Sequence, residues 1–272
     1  AAEDLGEGDL DTRLEPAGDP DIDPIVVSFN EMAATLQNRI ERDARFASEV
    51  SHELRSPLMT LAASVEVLEN SRDELTERAA KALDLLRADL DRFQLLVEDL
   101  LEISRFDAGA VKLFTEEVFF VELVEAAARA AGEQGVPVVL DDSVVGECVV
   151  RVDKRRFSRV LANLLDNARK YASGATAIHL SVVDDDDGGP GWARMAVDDE
   201  GNGVPMDDRV IIFDRFSRGS EGGNRASDSG VGLGLALVDE HMRLHGGRVS
   251  VGDRPDGESG ARFVVELPVV PE

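Results

Sequence analysis

The segment Ser51–Leu58 reads SHELRSPL, and the rest of the chain can be placed from it. Apolar residues Phe46, Val50, Leu54, Leu58, Leu61, Val65 and Leu68 recur at helical steps through and beyond it, one stripe of an amphipathic helix. His52 falls between stripe members and is expected to face outward, with Glu49, Glu53 and Ser56 on the same face. Pro57 has no N–H, which leaves the carbonyl of Glu53 without its helical partner and is expected to bend or loosen the helix one turn after the histidine. An interior proline costs about 3 kcal/mol, and a mobile nucleophile is one reason to keep it. A neutral imidazole is nucleophilic at one nitrogen when the other keeps its proton. Glu53 can accept that N–H, fix the tautomer and stabilise positive charge as it develops. A solvated or packed ring is the ordinary alternative for a lone helical histidine.

Downstream, the turn-forming stretch Asn70–Leu75 (NSRDEL) leads into a second periodic run: Ala79, Leu83, Leu86, Leu90, Phe93, Val97 and Leu100 keep a strict heptad seam. Two such helices form an antiparallel hairpin whose stripe is too exposed alone, and pairing two hairpins into a four-helix bundle buries it. At ~25 cal/mol per Å² of apolar area, a seam of about fourteen large side chains is worth tens of kcal/mol before chain entropy is subtracted, so a homodimer is expected. Upstream, apolar spacing runs through Phe29, Met32, Leu36 and Ile40 from Ile25 toward Phe46, while residues before Pro24 are rich in Gly, Pro and Asp.

The chain has 272 residues, a prior of about two domains, with 43% hydrophobic residues and a net charge of −26. That charge argues against nucleic acid and anionic membrane surfaces as partners. A single cysteine, Cys148, forbids an internal disulfide and reads as a small buried apolar residue in a reducing compartment. No apolar run reaches the ~18 residues of a membrane helix, and no signal-peptide pattern is present. The sequence begins without methionine and in mid-pattern, so we expect a soluble portion of something longer.

Beyond Gly109 the period changes. Strand-like runs at Val118–Phe120, Val136–Leu140, Cys148–Val152, Ala177–Val183, Arg194–Val197, Arg248–Val251 and Ala261–Leu267 alternate with helical stretches near Val121–Ala131, Lys154–Ala172 and Gly232–His245. The pattern predicts an α/β sandwich, with Asp184–Asp187 and the following GGPG at a solvated hairpin tip.

Four stretches of this half carry chemistry. NLLDNARKY puts Asn163 and Asn167 one turn apart, where two carboxamides can offer oxygens to a hard cation such as Mg²⁺; Lys170 adds a charge for phosphate and Tyr171 an aromatic face for a base. DEGNG follows an apolar strand; Asp199 can accept the exocyclic amine of adenine, while Gly201 and Gly203 let backbone approach the ring. IFDRFSRG offers Phe213 and Phe216 as anchors and Arg215 and Arg218 for phosphate. In GVGLGLAL, Gly230, Gly232, Leu233 and Gly234 open a helix whose free N–H groups favour phosphate, and the Gly/Ser stretch before it reads as a lid. Each stretch alone has a bland alternative, a solvated helix face or an ordinary glycine turn. His245 is expected to cap its helix's carboxyl end as a favoured positive charge; His179 and Trp192 read as structural, and no Cys/His spacing suggests zinc.

SHELRSPL resembles the H-box of sensor histidine kinases of two-component systems, with Ser56 where threonine is usual, and DLLEISRFDAG resembles the family's pattern at the end of the hairpin. The four later stretches, in this order and spacing, resemble the N, G1, F and G2 boxes of the GHKL superfamily shared with gyrase B and MutL. The resemblance covers about Ala44 to Leu267. Ile25–Ile40 resembles the second half of a HAMP linker, with Pro24 where a glutamate usually stands; a plain connector coiled coil is the other reading.

The resemblance implies a dimeric antiparallel four-helix bundle followed by a Bergerat-type α/β sandwich with a mixed sheet. The domains would be a partial HAMP-like linker at 1–43, a dimerisation and phosphotransfer hairpin at 44–109 and an ATP-binding domain at 110–272. It implies ATP and Mg²⁺ as cofactors, His52 as the phosphoacceptor with Glu53 and Ser56 beside it, and Asn163 and Asn167 as metal ligands. Lys170, Tyr171, Asp199, Gly201, Gly203, Arg215, Arg218, Gly230, Gly232, Leu233 and Gly234 would contact nucleotide. It further implies transfer to an aspartate on a response regulator receiver domain, phosphatase activity towards that regulator, and the cytoplasmic portion of an inner- or plasma-membrane sensor. Two other functions stay open on the residues alone: a nonphosphorylating scaffold with a regulatory nucleotide pocket, and a clamp-type ATPase in which His52 is incidental. Ser56 could alter the phosphatase reaction, and Val231 stands where a hydroxyl residue is common before GLGL.

Overall fold

The computed structural model describes residues 14, 18, 19, 21–107, 109, 111–132, 135–141, 148–184, 191–217 and 232–271, with backbone alone at 36, 39–41, 43, 44, 46–48, 51 and 52. Contacts divide the chain into two compact units, Ala1–Val111 and Lys112–Glu272.

The first unit is a helical hairpin. Helix α1 spans Asp23–Asn70, with Pro24 in its first turn, where a missing N–H costs nothing. It continues as α-helix through Pro57. A 3₁₀ turn, Arg72–Glu74, reverses the chain into α2, Glu77–Asp107. Arg72 forms a two-pronged ion pair with Asp84 (2.6 and 2.8 Å), and Arg87 joins α2 to Glu69 of α1 at 2.7 Å. These pairs lie at the solvent surface, where water and salt screen them, so apolar packing holds the hairpin. Leu58 and Val65 of α1 meet Leu83, Leu90, Val97 and Leu101 of α2, with Val50, Leu54, Ala62 and Leu75 packed alongside.

The predicted seam splits in two. In α2 the alternate members Leu83, Leu90 and Val97 are buried within the hairpin, whereas Leu86, Phe93 and Leu100 are 50%, 51% and 46% exposed. In α1, Leu61 and Leu68 likewise face outward instead of joining Leu58 and Val65, and the side chain of Phe46 lies outside the described residues. Within this hairpin α1 packs on one row of the heptad seam and leaves the other open.

The second unit opens with β1, Glu116–Phe119, which pairs antiparallel with β3, Val149–Val152. Helix α3, Phe120–Ala130, begins one residue earlier than the strand-like run predicted, because the Phe120 N–H still bonds Cys148 O (2.8 Å) while its own backbone has turned helical. The main sheet runs β2-β4-β5-β7-β6: β2 is Val138–Leu140, β4 Ala175–Val183, β5 Trp192–Asp199, β6 Arg248–Asp253 and β7 Ala261–Pro268. Among the described strands β2 and β4 pair in parallel and the other pairings of this sheet are antiparallel, so the sheet is mixed. Helices α4, Lys154–Tyr171, and α5, Gly234–Leu244, complete the unit, joined by two 3₁₀ turns, Met206–Asp208 and Ile211–Phe213, after β5.

Strand alternation sorts the sheet's two faces. Ile178, Leu180, Met195, Val197, Phe263, Val265 and Leu267 bury against Phe120, Phe157, Leu161, Leu164, Val238 and Met242 of the helices. The opposite face carries cross-strand ion pairs: Arg262 grips Asp198 with two 2.6 Å bonds, His179 approaches Asp198 at 3.2 Å, and Glu266 is shared by Arg194 and Arg248. Arg248 also stacks over Trp192, 4.4 Å from the ring centroid. His179 and Trp192 are thereby structural.

Candidate nucleotide site

Helix α4 is the spine of the site. Asp153 caps it, its Oδ1 accepting from the N–H groups of Arg155 (3.1 Å) and Arg156 (3.3 Å). Phe157, Val160, Leu161, Leu164, Leu165 and Ala168 turn into the core at steps of three and four, which leaves Asn163 and Asn167 half-buried on an adjoining face.

At the first asparagine, Nδ2 of Asn163 donates to the carbonyl of Gly234 (3.2 Å), which ties the first residue of α5 to the middle of α4. Its carboxamide oxygen is thereby turned away from that bond. Gly232, at φ +79°, is the glycine the approach requires: a Cβ there would lie 2.6 Å from Ser217 O. Its carbonyl accepts from Phe216 N–H at 2.9 Å. Gly234 has no such restriction, its nearest neighbour to a Cβ being Asn163 at 3.9 Å.

At the far end of α4 lies the Asp199–Gly203 turn. A Cβ on Gly201 would sit 3.3 Å from both Tyr171 O and the Ala172 methyl, so the turn rests directly on the end of the helix. Asp199 is buried, and its Oδ1 accepts from the N–H groups of Gly201 (2.8 Å) and Ala261 (3.0 Å). Those bonds fix the carboxylate and leave Oδ2 for another donor. Three of the predicted stretches therefore converge along one helix: Gly234 at Asn163 and Gly201 at Tyr171, eight residues or ~12 Å apart along its axis.

Two of the cations predicted for phosphate, Lys170 and Arg215, are engaged within the protein. Lys170 and Arg169 both pair with Asp166, the latter at 2.5 Å. Burial would raise the Asp166 carboxyl, but the bonds from Lys170 and Arg169 prevail and hold it below its usual range. Arg215 reaches Glu240 at 3.4 Å. Phe213 packs against the core as an anchor, whereas Phe216, 60% exposed at φ 60°, is not among the described residues packed on that core. Arg218, Gly230, Val231 and the lid reading lie outside the described residues. A 430 Å³ cavity lined by Met206, Arg209, Arg254 and Ser259 shares only Gly203 with the predicted positions, lying behind the turn.

The asparagine pair fits Mg²⁺. Among the described residues no group of three His, Cys, Asp or Glu side chains could hold a metal. Two half-buried carboxamides suit a cation that keeps its waters and takes its remaining ligands from phosphate.

The sequence reading missed the support beneath this site. His245 Nε2 accepts from Asp153 N–H (3.0 Å) while its Nδ1 meets His241 O at 2.6 Å, so the ring is the neutral, Nδ1-protonated tautomer. The expected positive cap is corrected: burial lowers this imidazole below its ordinary value. Burial, reinforced by Arg156 and Arg159, pushes the fully buried His241 down to about 3. The unfolded chain binds a proton below its ordinary pKa of 6.5 that folded His241 refuses, so stability is complete above pH 6.5 and is lost progressively towards pH 3. Urea titrations should show a loss approaching about 1.4 kcal/mol per pH unit from this residue between pH 6 and 4.5, and a shallower slope in His241→Phe; equal slopes would refute the assignment.

In the hairpin, His52 lies within α1 with its side chain outside the described residues; Glu53 and Ser56 are exposed, and Thr60 Oγ donates to Ser56 O (3.2 Å).

The family described as histidine kinase-, DNA gyrase B-, and HSP90-like ATPase matches residues 152–271, the His Kinase A (phospho-acceptor) domain residues 42–109, and the HAMP domain residues 1–38. Sensor histidine kinase MtrB of Mycobacterium leprae is 35% identical over 99% of this chain and 48% of its own length. The signal transduction histidine-protein kinase/phosphatase MprB of a Mycobacterium species is 34% identical over 98% of this chain and 52% of its own. The chain thus spans about half the length of the curated relatives it matches. The structure of full-length ShkA in complex with AMPPNP is 29% identical, covering 84% of this chain and 46% of that one, with a TM-score of 0.64. With a phosphoacceptor hairpin, a mixed α/β sandwich and these relatives, the chain belongs to the sensor histidine kinases of two-component systems.

Proposed function

We propose that this chain binds Mg·ATP on α4, transfers the γ-phosphoryl group to His52, and passes it on to an aspartate of a response regulator receiver domain. The observation that carries the reading is the docking of the α5 start and the Asp199 turn at opposite ends of the Asn163–Tyr171 face. A nucleoside triphosphate can bridge the ~12 Å between them, with its purine at Asp199 Oδ2 and its phosphates towards the N-terminal N–H groups of α5. Tyr171 offers an exposed ring for the base. The carboxamide oxygens of Asn163 and Asn167 would hold Mg²⁺, which supplies charge neutralisation on the phosphates.

In the transfer, an imidazole nitrogen of His52 forms the N–P bond as the bond between the γ-phosphorus and the ADP oxygen breaks. The other ring nitrogen keeps its proton towards Glu53. The N–P bond is labile enough to pass the group to a carboxylate. The exposed hydroxyl of Ser56 suits a water-positioning role in regulator dephosphorylation, and the related MprB is named a kinase/phosphatase.

The half-exposed row Leu86, Phe93 and Leu100 supports a homodimer through the hairpin, since a second copy would complete the four-helix seam. Among the described residues no helix is long and apolar enough to cross a membrane, and anchoring would fall to a segment of the longer protein. The domains we assign are the linker at 1–43, the hairpin at 44–109 and the ATP-binding domain at 110–272.

Incubation with γ-labelled ATP and Mg²⁺ tests the metal site. Asn167→Ala should lose protein labelling by at least about a hundredfold while remaining a dimer in sedimentation. Wild-type labelling in that variant would remove Asn167 from the site.

A further inference from the structure

The Asp199 turn is gripped from behind by residues 254–260, the loop between β6 and β7. Arg254 Nη1 donates to the Asp199 carbonyl at 3.2 Å, and its Nη2 pairs with Asp256 at 2.5 Å. Ser259 Oγ donates to the Gly201 carbonyl at 2.9 Å. The Arg254 side chain is only 11% exposed, although it sits in a loop and borders the 430 Å³ cavity. Withdrawing a guanidinium from water is costly, and with its Nε buried and, among the described residues, unpaired, Arg254 recovers part of that cost through Asp256 and the Asp199 carbonyl, the two groups that accept from it.

That geometry acts on the carboxylate. Asp199 Oδ1 is already taken by Gly201 N–H and Ala261 N–H, so Oδ2 is the oxygen that can accept from a ligand. A hydrogen bond weakens steeply once its length or angle leaves a narrow range, so movement of the Asp199 main chain is transmitted directly to that oxygen. Arg254 holds the main chain at Asp199 itself, and Ser259 holds it two residues later.

We infer that Arg254 and Ser259 are positioning residues for purine selectivity, fixing the backbone so that Asp199 Oδ2 meets an exocyclic amine. This rests on the adenine reading of Asp199 proposed above. Neither residue touches the nucleotide.

The test is equilibrium binding of Mg·ATP and of Mg·inosine triphosphate, which carries a carbonyl oxygen in place of the amine, to the full chain. The wild type should prefer ATP by about tenfold or more, and Asp199→Asn should erase the preference. Arg254→Ala should weaken ATP about tenfold and inosine triphosphate less than about twofold, with Arg254→Lys recovering part of the ratio and Ser259→Ala narrowing it about threefold. A merely structural role would weaken both nucleotides alike. If Asp199→Asn erases the preference but folded Arg254→Ala and Ser259→Ala keep the wild-type ratio, the inference is overturned and the adenine reading stands. If the wild type shows no preference, the adenine reading falls and the inference with it. Should circular dichroism show Arg254→Ala unfolded, the ratios of Arg254→Lys and Ser259→Ala decide in the same way.

Discussion

Gly260→Ala is expected to abolish nucleotide binding and to destabilise the α/β unit by more than about 4 kcal/mol. Gly260 sits at φ +143°, a conformation that residues with a Cβ rarely adopt, and a Cβ there would lie 1.9 Å from the Asp199 carbonyl oxygen and 2.9 Å from Arg254 Cδ. The first obstacle is backbone, so no rotamer change relieves it. Relief requires moving β7 away from the end of β5. Its first residue, Ala261, supplies the N–H that holds Asp199 Oδ1, so the movement that relieves the clash also frees the carboxylate. Dihedral strain alone contributes about 1–3 kcal/mol, and the broken strand contacts add to it. Gly252→Ala is the control, because a Cβ at Gly252 meets nothing within 4 Å, and its stability should stay within about 0.5 kcal/mol of wild type. Urea unfolding and ATP titration of both variants check the pair. A Gly260→Ala protein that binds ATP with wild-type affinity would show that the turn tolerates displacement.

Local periodicity was legible in the sequence. Period-two and period-3.6 patterns marked the strands and helices of the second unit, and Asn163 and Asn167 fell on one face of α4 as their spacing required. Tertiary partners were less legible. The string GESG announces a turn, but nothing in it shows that Gly260 closes on Asp199, sixty-one residues earlier. Charge partners were overlooked at both ranges: Lys170 and Arg215 were assigned to phosphate, whereas here Asp166, one turn away, and Glu240, twenty-five residues on, engage them. His245 was read from the helix end it caps, but its state is set by the Asp153 N–H, ninety-two residues away in sequence. The heptad seam was visible in full, whereas its division into a buried and an exposed row depends on how many helices share it.

Loss of labelling in His52→Gln is the second large effect expected. Glutamine keeps a polar side chain of similar reach at the same helical position, and the described hairpin core is built from Leu58, Val65, Leu83, Leu90 and Val97. It offers no ring nitrogen able to take a phosphoryl group, and no other residue was assigned that chemistry. ATP affinity should stay within about twofold of wild type, because nucleotide contacts are assigned to the α/β unit alone, while phosphoprotein formation should fall by more than about a thousandfold. The direct measurement is incubation of wild type and His52→Gln with γ-labelled ATP and Mg²⁺, followed by acid treatment of the labelled protein. The account predicts an acid-labile label on the wild type and none on the variant; equal label on both, or label that survives acid, would contradict it.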